Sequence, residues 1–171
     1  KYYSDFINTK KYNLSERWRL FYLRGICYER SSQWVLAEID FLESLKLKSD
    51  SPQVLNYLAY GWLEQDLHLD RALQMLQKAY AGNPNSYYIL DSLAWAYYKN
   101  NNLDKAVQLM EEVISLAPGE AISLDHLGDI YFALNRKREA SYLWKQAKDL
   151  AEPDENITES LEKKLEEYYA G

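Results

Sequence analysis

The sequence predicts an all-α fold: a right-handed superhelical solenoid of antiparallel helix pairs, closed by a C-terminal capping helix. Three observations carry that prediction. Chain breakers are scarce, with 6 glycines and 4 prolines in 171 residues, while 16 tyrosines and 5 tryptophans supply bulk. Good helix formers with few breakers between them favour helix over strand. Small and large apolar residues recur at helical spacing, and the whole pattern returns at intervals of 34 or 35 residues, the mark of a stacked repeat.

Two ladders set the register. A small residue followed three places later by an aromatic occurs at Gly25/Tyr28, Ala59/Trp62, Ala94/Tyr97 and Gly128/Tyr131. Ala37, Ala72, Ala106 and Ala140 form the second ladder, each followed four residues on by Phe41, Leu76, Met110 or Trp144. Three positions further stand Ser44, Ala79, Val113 and Ala147. Small residues let two antiparallel helices approach closely, and the larger side chains fill the space beside them. The linkers Ser31-Ser32-Gln33, Lys99-Asn100-Asn101-Asn102 and Asn135-Arg136-Lys137 are short and polar, which makes sequential helices antiparallel neighbours. Pro52, Pro84, Pro118 and Pro153 fall at the unit ends, where they are expected to stop each second helix. One helix pair cannot bury its own apolar face, so the units must stack.

The register divides the chain into repeats at 18–51, 52–86, 87–120 and 121–154. The second carries one extra residue between Trp62 and Ala72, so its turn is expected to be long, from Leu63 to Asp70. Arg24 stands where Leu58, Leu93 and Leu127 stand in the other units, so the first unit packs differently or meets something polar. Residues 1–17 read as the tail of a preceding repeat and a linker, with more repeats expected before Lys1. In the segment 155–171, Ile157, Leu161, Leu165 and Tyr168 form one apolar stripe on a charged helix. That helix is read as a cap, or alternatively as a docking helix joining two copies.

Leu93-Ala94-x-x-Tyr97 with Ala106, Met110, Val113 and Pro118, and Leu127-Gly128-x-x-Tyr131 with Ala140, Trp144 and Ala147, resemble the tetratricopeptide repeat (TPR) family. The stretches Leu55 to Tyr60, Leu90 to Trp95 and Asp125 to Asp129 resemble a bacterial subfamily of such proteins. The resemblance implies that the first helix of each unit lines a concave groove for a segment of another protein. On the face away from the small-residue packing lie Tyr22, Ile26 and Glu29; Asn56, Tyr60 and Leu63; Asp91, Trp95 and Tyr98; and Asp125, Asp129 and Phe132. Each triplet is spaced 4 then 3, so it shares one helical face.

The candidate partner-binding residues on this face are Tyr22, Asn56, Tyr60, Asp91, Trp95, Tyr98, Asp125, Asp129 and Phe132. Exposed rings mark binding surfaces, and rings beside carboxylates suit a peptide with apolar anchors and a Lys or Arg. Trp95 and Tyr60 would be anchors, with Asp91 and Asp125 as orienting carboxylates. The same face also reads as packing, with Asn56, Asp91 and Asp125 bonding across adjacent first helices and the rings filling space between units. Removing Trp95 and Asp91 distinguishes the two: recognition predicts lost capture with melting intact, packing predicts collapsed melting. Some family members grip acidic chaperone tails with a clamp of Lys, Asn and Arg. Tyr22, Ile26, Tyr57, Tyr88 and Ser92 stand at those places, so that partner class is excluded.

Other classes are disfavoured by what the chain carries. A net charge of -6 opposes nucleic-acid binding, which needs a basic face to displace counterions. No apolar run approaches the roughly 18 residues of a membrane span. Cys27, the single cysteine, allows no disulfide and no Cys-based zinc site. Asp125, His126 and Asp129 do not all share a helical face, so neither metal nor cofactor is expected. No Gly-rich phosphate loop, nucleophile elbow or zinc-protease motif occurs. The reading is a non-catalytic protein-interaction module; the alternative is a structural spacer or self-association scaffold, a homodimer through the C-terminal helix. Bacterial cytoplasm and cell envelope both remain open as compartments.

Overall fold

The computed structural model describes residues 16–152 and 157–170. Within them the chain is helical throughout, with no strand. The elements are α1 (Arg17–Arg30), α2 (Trp34–Leu47), α3 (Pro52–Glu64), α4 (Leu69–Gly82), α5 (Tyr87–Lys99), α6 (Leu103–Leu116), α7 (Ala121–Ala133), α8 (Lys137–Leu150) and α9 (Thr158–Ala170). α1 packs on α2, α3 on α4, α5 on α6 and α7 on α8, and α9 lies against α8. Two compact units result, one ending at Pro84 and holding α1 to α4, the other starting at Asn85 and holding α5 to α9. The expected tail of a preceding repeat and Pro153 lie outside the described residues.

The four hairpin turns share one backbone design. Ser32, Asp66, Asn101 and Asn135 each take a left-handed φ, between 54° and 62°. The next amide then reaches back: Gln33 N–H donates to Tyr28 C=O, Leu67 to Trp62, Asn102 to Tyr97 and Arg136 to Tyr131, at 2.8–2.9 Å. This closes carbonyls that the helix end leaves unbonded, and Asn and Asp tolerate the left-handed conformation better than most residues. The inserted residue in the second repeat sits inside this design. Its turn spans residues 65–68, shorter than the expected Leu63 to Asp70, and gains a second left-handed residue, His68, at φ 49°. The His68 ring then packs edge-on against Trp62 at 5.0 Å.

Of the described prolines, Pro52 is the one that departs from expectation. α2, α4 and α6 end at Leu47, Gly82 and Leu116, each with four residues between it and the next helix. Pro52 opens α3 instead of ending α2, at the first helical position, where a missing N–H is harmless. Pro84 and Pro118 lie inside the junctions.

The ladders are the core. Ala37, Phe41, Ala59, Trp62, Ala72, Leu76, Ala94, Ala106, Met110, Ala140 and Trp144 are all buried. Gly25 faces Phe41 so closely that an added Cβ would lie 2.6 Å from the ring, and Gly128 meets Trp144 in the same way. Arg24 does find a polar counterpart. Its guanidinium donates to both carboxylate oxygens of Asp40, a buried residue of α2, at 2.6 Å each.

Candidate partner-binding face

In the second unit the first-helix face is a layer of interlocked side chains. α5 and α7 lie side by side, which brings Asp91 against His126; the His126 Nδ1–H donates to Asp91 Oδ2 at 3.0 Å. Trp95, one turn along α5, stacks on the His126 ring at 4.1 Å and 14°, and on Tyr98 at 4.7 Å and 18°. Parallel rings at these distances bury apolar area on both faces of the indole. Lys99 Nζ stands 5.5 Å from the Trp95 ring centroid.

Asp125 and Asp129 are met by α9. Lys164 Nζ donates to Asp125 Oδ1 at 2.6 Å and to Asp129 Oδ2 at 2.9 Å, while Trp144 Nε1–H donates to Asp129 Oδ1 at 3.0 Å. The ammonium also lies 5.8 Å from the Trp144 ring centroid. Burial and the Asp129 charge push the Asp125 carboxyl above its usual range, against the pull of Lys164. For Lys164, burial works against the charge, but attraction to Asp129 and Asp125 outweighs it and raises the pKa. Leu161, one turn earlier on α9, is completely buried. α9 is therefore docked by one apolar anchor and one cation on the same helical face.

These placements correct the sequence reading at four positions. Asn56, Asp91 and Asp125, expected as a polar ladder beside exposed rings, and Trp95, expected as an exposed anchor, are only 6–8% exposed. For Asp91 and Trp95 the reason is the packing of α5 beside α7, and for Asp125 the docking of α9. Asp91 and Asp125 do bond across elements, as the packing alternative supposes. The three side chains considered as a metal set diverge: Asp125 and Asp129 hold Lys164, and His126 holds Asp91.

What stays accessible is narrower. Phe132 is 42% exposed, and Tyr98 and Asp129 are half-buried. Together with Trp144 and with Lys164, Glu167 and Tyr168 of α9 they line a cavity of ≈ 240 Å³. In the first unit, Tyr60 is half-buried on α3, and Tyr22 packs edge-on against Tyr57 at 5.5 Å and tilted against Phe41 at 6.3 Å. Lys164, Glu167 and Tyr168 were not foreseen as part of this face. Their signal was present, since Lys164 shares the Leu161, Leu165 and Tyr168 stripe, where a buried lysine demands a carboxylate partner.

A second surface feature also went unread. Val35, Leu36 and Ile39 of α2 are exposed, Val35 by 69%. The corresponding places in the other second helices carry Asp70, Arg71 and Gln74, then Asp104, Lys105 and Gln108, then Arg138, Glu139 and Tyr142. No described helix is long and apolar enough to cross a membrane.

Residues 68–127 match the family model of a tetratricopeptide repeat. The fold is also similar to TTC0263, a thermophilic TPR protein of Thermus thermophilus, with a TM-score of 0.75 at 20% identity over 90% of this chain and 81% of that one. MamA 41-end from Desulfovibrio magneticus RS-1 gives 0.70 at 20% identity, covering 87% and 81%. YrrB, a TPR protein with an unusual peptide-binding site, gives 0.63 at 20% identity, covering 87% and 76%. No curated protein sequence matches the chain significantly. With its repeated helical hairpins and shared turn geometry, the chain has the all-α solenoid fold of these tetratricopeptide-repeat structures, and its residues 68–127 match that family's model.

Proposed function

We propose that this chain is a non-catalytic interaction module that holds a peptide segment or partner helix on the first-helix face of its repeats. Tyr98, Phe132 and Asp129 are the contacts in the second unit, with Tyr22 and Tyr60 on the corresponding face of the first. Asn56, Asp91, Trp95 and Asp125 act from beneath, holding the surface in shape. One observation carries the reading: an exposed ring, Phe132, borders a cavity that also contains carboxylate and further rings. Aromatic anchors in a preformed depression are where binding free energy concentrates. Repeats of this kind serve generally as interaction scaffolds, and the similar protein YrrB has a peptide-binding site. The favoured partner presents apolar anchors beside a Lys or Arg.

The test compares proteins captured from a cell extract by the immobilised chain and by its Tyr98→Ala/Phe132→Ala variant. A species lost from the variant while its melting holds supports the proposal. Capture unchanged by the double substitution sinks it. The rival reading, self-association through α9, meets the burial of Leu161 inside its own chain. Sedimentation over a wide concentration range decides that point, a persistent monomer removing the rival.

A further inference from the structure

The cavity between α5, α7, α8 and α9 has a chemistry that selects one kind of side chain. Its walls are the rings of Tyr98, Phe132, Trp144 and Tyr168, and its polar groups are Asp129, Lys164 and Glu167. Asp125 lies just behind, bonded to Lys164. Two carboxylates bond the ammonium and Glu167 lines the same cavity, so carboxylates outnumber the cation three to one. At ≈ 240 Å³ the space is below the roughly 300 Å³ at which whole-ligand pockets begin, and suits a single long side chain. The ammonium of Lys164, which lies over the Trp144 ring while bonding two carboxylates, already displays how this site treats a cation.

Resting on the interaction reading above, we propose that this cavity receives one arginine side chain of the partner segment. A guanidinium is planar and weakly hydrated, so it can lie against a ring face while its edge donates to carboxylates. Glu167, exposed at the rim, is the carboxylate that meets it first. A second ammonium would be a compact, strongly hydrated charge beside Lys164 and would gain less. An acidic or neutral side chain would lack donors for the surplus carboxylate.

The probe is the capped tripeptide acetyl-Ala-Arg-Ala-amide, with its citrulline analogue as the neutral, nearly isosteric control. Binding to the full chain is followed by the Trp144 indole N–H resonance, assigned from the spectrum of Trp144→Phe. The arginine peptide is expected to shift that resonance with at least roughly tenfold tighter binding than the citrulline peptide. Glu167→Gln should erase most of that preference without changing the melting temperature. Equal binding of the two peptides, or no shift up to roughly 20 mM, would overturn the proposal. If the titration fails while Tyr98→Ala/Phe132→Ala still loses its captured partner, the arginine is wrong and the interaction reading survives. If capture is indifferent to that double substitution, the interaction reading itself is wrong.

Discussion

The Arg24 guanidinium grips the Asp40 carboxylate through two 2.6 Å hydrogen bonds, where the other repeats place aliphatic pairs. By register those pairs are Leu58 with Met75, Leu93 with Leu109, and Leu127 with Leu143. The chain has exchanged both partners together, so a charge on α1 is answered by one on α2. Replacing only Asp40 strands a partly buried guanidinium, whereas replacing both restores the apolar contact. Asp40→Ala should cost about 2 kcal/mol in urea unfolding, and Arg24→Leu/Asp40→Leu should lie within about 1 kcal/mol of the wild type or exceed it. A double variant less stable than Asp40→Ala would mean that the ion pair is more than a substitute for apolar packing.

Gly61 offers a test whose sign is informative. Alanine in place of a helical glycine normally adds up to about 1 kcal/mol. At Gly61, however, an added Cβ would run into the six-membered ring of Trp34, a rigid neighbour that cannot swing aside as a flexible chain end would. Gly61→Ala should therefore destabilise by about 1–3 kcal/mol, read in the same urea titration. Pairing it with Trp34→Leu should restore part of the loss.

The attachment of α9 carries a pH signature. Lys164 has a folded-state pKa above its ordinary 10.5, so its contribution is complete below that range and fades as the pH climbs through the raised value. Asp125 is also raised above its ordinary 3.8, so protonating it on acidification does not weaken the fold through this group. Lys164→Met should cost about 1–2 kcal/mol at neutral pH. The gap to wild type should be widest near neutral pH, narrowing above about pH 10.5 as Lys164 loses its charge and in acid as Asp125 is protonated, as measured by thermal melting across a pH series. A gap that stays constant from acid to alkali would contradict this account.

Trp95 is expected to behave as a packing residue. Sandwiched between His126 and Tyr98, it should cost about 3 kcal/mol when cut to alanine, with a clear fall in melting temperature. Trp95→Ala/Asp91→Ala is therefore unsuitable for separating binding from folding. Unchanged melting in Trp95→Ala would restore Trp95 as an anchor.

How much of this was legible follows from where the information lies. Helix pairing was readable because each ladder residue meets the same neighbour in every repeat, so packing is written as periodicity. Arg24 stood out by breaking that period, although only the fold supplies its answer in Asp40. The turns were readable as polar and short, yet their left-handed residues and the start of α3 at Pro52 are backbone facts that composition does not specify. The candidate face was the least legible part. A residue on the outer side of a first helix is exposed or buried according to what lies beside that helix, and His126 and Lys164 are 35 and 39 residues away from the carboxylates they bond. The aliphatic surface of α2 is legible from equivalent positions, since Val35, Leu36 and Ile39 stand where the other second helices carry mostly charged or polar residues.

The most direct test of the central claim is photo-crosslinking from single sites. A benzoyl-phenylalanine placed at Phe132, on the proposed contact face, is compared with one at Tyr142, a more exposed ring on α8. The account predicts that irradiation in cell extract yields a discrete adduct from the Phe132 position, suppressed by excess unlabelled chain, and none from Tyr142. Adducts from Tyr142 alone, or the same products from both sites, would contradict it.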